Sequence, residues 1–316
     1  MTDNKLPRRS VLAAMGTAPL AASTALAPAG IGHADSSRTD RIPEDLRPGG
    51  KLDRLVVRLA AEDKFSGTVL LRHRDRPVLS RSVGMADHQR SIPNGPDTIS
   101  LASITKLFTG VAIAQLAQRN KVAYHEKLGA YLDGFPDEIA DQVTVHQLLT
   151  HTSGMGDHMQ LPGYEKAAAT WTSVQQTWDG EPEFVRKTGL AFIPGSGWRY
   201  CNTGYHALGA IVAEVSGQSY YDYVRENIFT PAGMTSSDFY TKPQWRDGRR
   251  IAHPYAPQDS GKRVDVLEED PHFVGSPAGG GVPMEFVKPC GVPDVGRRSC
   301  CGAWRTGRRS GVGRGR

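Results

Sequence analysis

Cysteine is scarce in this chain. Four occur in 316 residues, and up to Gly281 the only one is Cys201, so no disulfide framework braces the body. Beyond the N-terminus there is no run of about 18 apolar residues of the kind that crosses a bilayer. Basic charge is also lacking in the body. The formal net charge is +5, but residues 288–316 hold eight Lys/Arg against one Asp, which leaves the rest slightly acidic and argues against a nucleic-acid-binding surface there. No internal repeat is found. What remains is ordinary globular usage, 39% apolar and 22% charged, in a length that suits one large or two modest domains.

Residues 1–34 read as an export signal. Arg8 and Arg9 precede SVLAAMGTAPLAASTALA, an apolar run diluted by Ala, Gly and Thr, and Gly32 and Ala34 supply a small-x-small cleavage site. This resembles a twin-arginine signal and places the mature chain outside the cell or in the envelope. Residues 35–50 are polar and Pro-punctuated, a linker. Leu52, Leu55, Val56 and Leu59 then fall at helical spacing and predict an amphipathic helix over 51–63. FSGTVLLR and PVLSRSVG follow as β-type runs, most simply a hairpin. Further on, VTVHQLLTHTSGM reads as a short helix stopped by Thr-Ser-Gly. YHALGAIVAEVSGQ puts Tyr205, Leu208, Val212 and Val215 on one helix face, with Gly217 as the stop.

SITKLFTGVAIAQL, from residue 103, sets a serine and a lysine three apart in an apolar helix. Positions i and i+3 share a helix face, so Ser103 and Lys106 can meet. Ile104, Leu107, Phe108 and Val111 lie at core spacing, which predicts a central helix with these four inside. A lysine among such neighbours loses solvation, and its neutral amine becomes available to take a proton from serine. Ser103 at the helix start also meets unpaired N–H groups that favour negative charge on an oxygen. About a hundred residues later, PGSGWRYCNTGY carries Tyr200-Cys201-Asn202. It holds the only Y-x-N of the chain, as Ser103 begins the only S-x-x-K. Tyrosine offers a phenol that gives or takes a proton, and asparagine an amide that can grip a substrate.

In these motifs the sequence resembles the serine β-lactamase and penicillin-binding D-alanyl-D-alanine peptidase superfamily, nearest its class C β-lactamase, carboxypeptidase and esterase branch. FSGTVLL, SIPNGPDT, SITKLFTGVAIAQL, VTVHQLLTHTSGM, PGSGWRYCNTGY, IFTPAGM and GSPAGGG follow the family's order and spacing from Phe65 to Gly281. The resemblance implies an α/β fold, an antiparallel sheet flanked by helices plus an all-helical subdomain, over residues 51–287. It makes Ser103 the acyl-accepting nucleophile and Lys106 the group that removes its proton. Tyr200 would be the acid or base serving the leaving group, Asn202 a substrate-positioning group, and the Ser103 amide an oxyanion donor. Whether Lys106 or Tyr200 is the base stays open. The implied substrate is a small molecule or peptide carrying an amide, ester or β-lactam bond, with no metal or organic cofactor. His146 and His151, five apart, do not share a face well enough to bind metal; His151 is expected to close a turn by hydrogen bonds, and Cys201 to point into the core.

The family's third motif, a Lys or His, then a small residue, then Gly, on a strand, has no match. Lys187-Thr188-Gly189 precedes Tyr200 and is out of order. Arg305-Thr306-Gly307 comes too soon after GSPAGGG and lacks strand flanks. In residues 288–316, 14 of 29 are Gly or Arg, and both helical and strand periods vanish. These features are those of an out-of-frame or disordered tail, and they predict an incomplete sheet and weak or absent turnover. The alternative function is a binding-only relative or inactive fragment whose basic tail contacts polyanions. No oligomeric state follows from these patterns.

Overall fold

The computed structural model describes residues 41–277 apart from 75, 96–99, 236, 250 and 258–262. The expected export signal, the end of the expected domain from 278 to 287 and the Gly/Arg-rich tail lie outside the described residues. At the end of the linker a 3-10 turn, Glu44–Leu46, leads into helix α1, Lys51–Ala61. The helix stops two residues short of the expected end, and Asp63 takes a left-handed backbone, φ 52°. Its inward face carries Val56 and also a carboxylate. Asp53 accepts Arg81 Nε at 2.7 Å and Nη2 at 2.6 Å and the Gly49 amide at 2.8 Å. The Arg81 bonds, more than any other influence, hold this carboxyl below its usual range. The pair ties α1 to the hairpin, because Arg81 lies on β2.

β1 (Gly67–His73) and β2 (Arg76–Val83) form the expected antiparallel hairpin, in register from Gly67 opposite Val83 to Leu71 opposite Leu79. The register then slips to Arg72 opposite Pro77. Proline has no N–H for the ladder, and a bulge is where a strand tolerates it. The remaining strands pair as Met85–Asp87 with Ile92–Pro93 and Tyr255–Pro257 with Arg263–Asp265, both antiparallel. Among the described residues the named strands thus form three separate two-stranded pairs.

The helical body is built on α2, Lys106–Gln118, packed against the Asn202–Ser216 helix. Of the four α2-region residues expected in the core, only Phe108 is buried. Ile104, Leu107 and Val111 are 57%, 61% and 36% exposed. Lys106, Thr109, Ala112, Ile113 and Leu116 point inward instead. The helix is apolar on every side, so spacing could not choose its buried face. In the Asn202–Ser216 helix the expected Leu208 and Val212 are fully buried, and Gly217 ends it in the left-handed conformation, φ 71°. Cys201 is its N-cap: Sγ accepts the Gly204 amide at 3.3 Å and lies 3.5 Å from Met155 O. The short Val145–Leu149 helix starts on a capping box, Thr144 with Gln147.

Residues 274–277 pass between these helices. Thr109 Oγ1 donates to Pro277 O at 2.8 Å and lies 2.8 Å from Tyr220 Oη. A Cβ built at Gly209 would fall 2.2 Å from Pro277 Cγ, so glycine is required there for the close approach rather than for its backbone freedom. Among the described residues, no helix is long and apolar enough to cross a membrane.

Two outcomes follow. Gly209→Ala should lower stability by about 1–3 kcal/mol through overpacking, read as a lower urea midpoint with an unchanged slope. Cys201 is 2% exposed, and burial foremost pushes its thiol up. Peptide mapping after iodoacetamide treatment should therefore find Cys201 unmodified in the native protein and alkylated in denaturant.

Candidate active site

Ser103 stands in a 3-10 turn, Ala102–Thr105, that leads directly into α2. Ala102 immediately before it holds a left-handed backbone, φ 41°, a conformation that is sparsely populated by residues with a side chain and is found where a turn is over-determined by its surroundings. The turn leaves Ser103 exposed while Lys106, one turn on, is 7% exposed. Lys106 Nζ donates to Ser103 Oγ at 3.3 Å, so the i, i+3 pairing expected from spacing is present.

The second motif arrives from the opposite side. Tyr200 closes a stretch with neither helix nor strand, and Asn202 begins the helix that packs on α2. Tyr200 Oη donates to Ser103 Oγ at 2.7 Å. Asn202 Oδ1 accepts Lys106 Nζ at 2.9 Å. All four residues singled out in the sequence are therefore one hydrogen-bonded cluster. The ammonium also lies 4.7 Å from the Tyr200 ring centroid and 5.6 Å from that of Tyr205, within cation–π range.

Three further residues belong to this arrangement and were not assigned to it from sequence. Asp157 Oδ2 accepts Asn202 Nδ2 at 3.3 Å, which fixes the amide so that its carbonyl faces Lys106. Tyr205 lies under the lysine, three residues along the helix from Asn202; that spacing was its only signal. His151 was expected to close a local turn; its bonds instead reach a distant segment, Nδ1 accepting the Cys201 amide at 3.1 Å and its carbonyl accepting the Arg199 amide at 3.0 Å. Its ring lies 4.7 Å from that of Tyr200. Desolvation, followed by the nearby Lys106 charge, lowers the His151 imidazole below its ordinary value.

The Lys187-Thr188-Gly189 sequence takes no part. Lys187 pairs with Glu183 at 2.6 Å on the surface, and Thr188 turns back onto Val185 O at 2.8 Å. It ends a helix instead of lining Ser103. The Arg305-Thr306-Gly307 alternative lies outside the described residues. A groove of about 560 Å³, open to solvent, runs beside Tyr200 between Asp157, Gln160, Leu190 and Arg199. Of the four cluster residues, Tyr200 lines this groove, whereas a wider recess of about 770 Å³ around Trp178, Tyr221 and Phe239 includes none of them. No group of His, Cys, Asp and Glu side chains that could hold a metal occurs among the described residues.

Behind the cluster is a buried polar layer. Glu181, 1% exposed, accepts Tyr164 Oη at 3.1 Å and lies 3.0 Å from His206 Nδ1. Burial works to raise its carboxyl, but His206, His158 and His272 overcome this and keep it below the ordinary value. His158, which bonds Thr203 beside Asn202 with Nδ1 at 3.0 Å from Oγ1, is pushed down to about 4, chiefly by desolvation.

Comparison with known proteins identifies the family. The chain is 33% identical over 195 residues to a penicillin-binding protein of Bacillus subtilis (strain 168), covering 60% of this chain and 42% of the relative. It is 30% identical over 249 residues to the esterase EstB of Burkholderia gladioli, covering 75% and 61%. The chain thus spans about two fifths to three fifths of the length of these relatives. The crystal structure of a penicillin-binding protein from Bacillus halodurans superposes with a TM-score of 0.61 at 29% identity, over 73% of this chain and 68% of that one. A class C β-lactamase structure at 19% identity, TM-score 0.56, over 75% of this chain and 61% of that one, shares the fold. The family model described as Beta-lactamase matches residues 52–284, and with the S-x-x-K and Y-x-N motifs meeting at one serine, the chain belongs to the beta-lactamase family.

Proposed function

We propose that this chain is a serine hydrolase that cleaves an amide, ester or β-lactam bond through an acyl-enzyme on Ser103. The observation that carries the reading is the convergence on one oxygen: Ser103 Oγ lies 2.7 Å from Tyr200 Oη and 3.3 Å from Lys106 Nζ. Both groups are within proton-transfer reach. As Oγ bonds to the substrate carbonyl carbon, its proton passes to the amine or the phenol, and the same pair returns a proton to the departing nitrogen or oxygen. Water then attacks the acyl ester, and its proton restores the Ser103 hydroxyl as the acid leaves. Asn202 ties Lys106 to Asp157 and has a second amide N–H with which to hold a substrate carbonyl. The relatives named as penicillin-binding protein and esterase support this reaction class. No metal or organic cofactor enters these steps.

The open groove beside Tyr200 favours a small substrate or a short peptide. The second reading is a relative that acylates without turning over. Intact-protein mass spectrometry with a fluorophosphonate, a fluorescent penicillin and a chromogenic ester separates the two. Turnover after acylation supports the hydrolase; one product per chain and then none supports the binding protein. Ser103→Ala should abolish the adduct, while Lys106→Ala and Tyr200→Phe should each slow acylation by about 10²–10⁴-fold. An adduct that survives Ser103→Ala would remove that residue from the role.

Export is part of the proposal. The Arg8-Arg9 pair, the diluted apolar run and the Gly32-x-Ala34 site support a twin-arginine route with cleavage after Ala34. N-terminal sequencing of protein recovered outside the cytoplasm should begin at Asp35. A chain recovered there with its first residues intact would overturn this.

A further inference from the structure

Tyr200 has to be held against Ser103 by something other than secondary structure. Residues 197–201 form neither helix nor strand, and Tyr200 itself is 42% exposed, so neither a backbone ladder nor burial sets its position. One residue, His151, holds Tyr200 and the peptide on either side of it. His151 O accepts the Arg199 amide at 3.0 Å, and His151 Nδ1 accepts the Cys201 amide at 3.1 Å. The peptide is thus tied on both sides of Tyr200 to a single residue. The imidazole also packs against the Tyr200 ring, with centroids 4.7 Å apart at 33°, and against the Tyr205 ring, 5.1 Å apart at 35°.

To offer its carbonyl and Nδ1 to two amides of one strand-like segment, His151 takes a left-handed backbone, φ 59°. A residue with a Cβ is uncommon in that conformation and persists where the surroundings require it. Nδ1 can accept only while it carries no proton, so the neutral ring has its hydrogen on Nε2. The titratable groups facing the ring are Lys106 from α2, Tyr200 from the loop and Tyr205 from the following helix. Protonation would put a second cation beside Lys106 and break the bond to Cys201.

We propose that His151 is the positioning residue for Tyr200: its backbone carbonyl holds the peptide before the phenol, its neutral imidazole holds the peptide after it and packs on its ring, and protonation of the imidazole releases that second hold and lets the phenol leave Ser103. The inference rests on the reading that Tyr200 serves Ser103. Desolvation, and after it the Lys106 charge, keeps the imidazole below its ordinary value of 6.5. The clamp is therefore intact at neutral and alkaline pH and is lost as pH falls through that lowered value.

The test follows acylation of Ser103 by a fluorophosphonate against pH in wild type, His151→Ala and His151→Asn. Asparagine tolerates the left-handed backbone, keeps an acceptor oxygen and does not titrate. His151→Ala should acylate about 10- to 100-fold more slowly, as expected for a misplaced catalytic group, with half-saturating probe concentration within about twofold. His151→Asn should recover most of the rate and lose the acid limb that wild type shows below pH 6.5. A His151→Ala rate equal to wild type, or an acid limb that persists in His151→Asn, would overturn the inference. If wild type itself forms no Ser103 adduct, the hydrolase reading fails, and hydrogen exchange then decides the clamp separately. Exchange of the Cys201 amide should quicken by about tenfold or more in His151→Ala, since it loses its side-chain acceptor, while the Arg199 amide, bonded to the residue 151 carbonyl, serves as the internal reference. Unchanged exchange rejects the clamp.

Discussion

The geometry at Ser103 depends on how α2 lies against the Asn202–Ser216 helix. One helix brings the serine and lysine, the start of the other brings the asparagine, and the tyrosine stands two residues before it. Ala112 and Ile113 on the first and Ala207, Leu208 and Ile211 on the second are fully buried. Apolar burial drives such packing but is not directional, so it does not by itself choose a rotation. Direction comes from the polar atoms inside it. Thr109 reaches both Tyr220 and Pro277 O at 2.8 Å, and Thr109 lies on the same helix stripe as Lys106, Ile113 and Leu116. The rotation that satisfies the threonine also carries the lysine inward to Asn202.

Holding a cation there requires acceptors, since an unpaired buried charge is costly. Ser103 Oγ and Asn202 Oδ1 meet that need, with the Tyr200 and Tyr205 rings on its flank. Asp157 in turn orients the amide. Behind it, Glu181, Tyr164, His206 and His158 form a second polar layer whose bonds reach Thr203, next to Asn202. With this support behind them, Ser103 and Tyr200 remain exposed while Lys106 is buried. The hairpin is joined to α1 by the pair between the buried Asp53 and the more exposed Arg81.

Much of this was legible in the chain. The β1–β2 hairpin, the Gly217 stop and the inward Leu208 and Val212 are local features, set by alternation, by a glycine's access to left-handed backbone and by side chains three or four apart. The rotation of α2 was not. Apolar residues ring that helix, and a periodicity argument placed Ile104, Leu107 and Val111 in the core although they are exposed. Pattern alone cannot choose a face when every face is apolar. The same limit hid Asp157 and the full role of His151, whose partners are 45 and 50 residues away in sequence.

The amino-acid order by itself determined the chemistry available here: a serine one turn before a lysine, a tyrosine and an asparagine in a later triplet, and family motifs in a fixed order. These are properties of spacing along one element, where backbone geometry translates sequence distance directly into space. Only the tertiary structure decided that the phenol donates to the serine, that the amine is shared between serine and asparagine, and that a histidine fifty residues upstream clamps the peptide around Tyr200. Those contacts join segments about fifty to a hundred residues apart. They exist because two helices buried particular faces against each other, and that choice is a sum over the whole core.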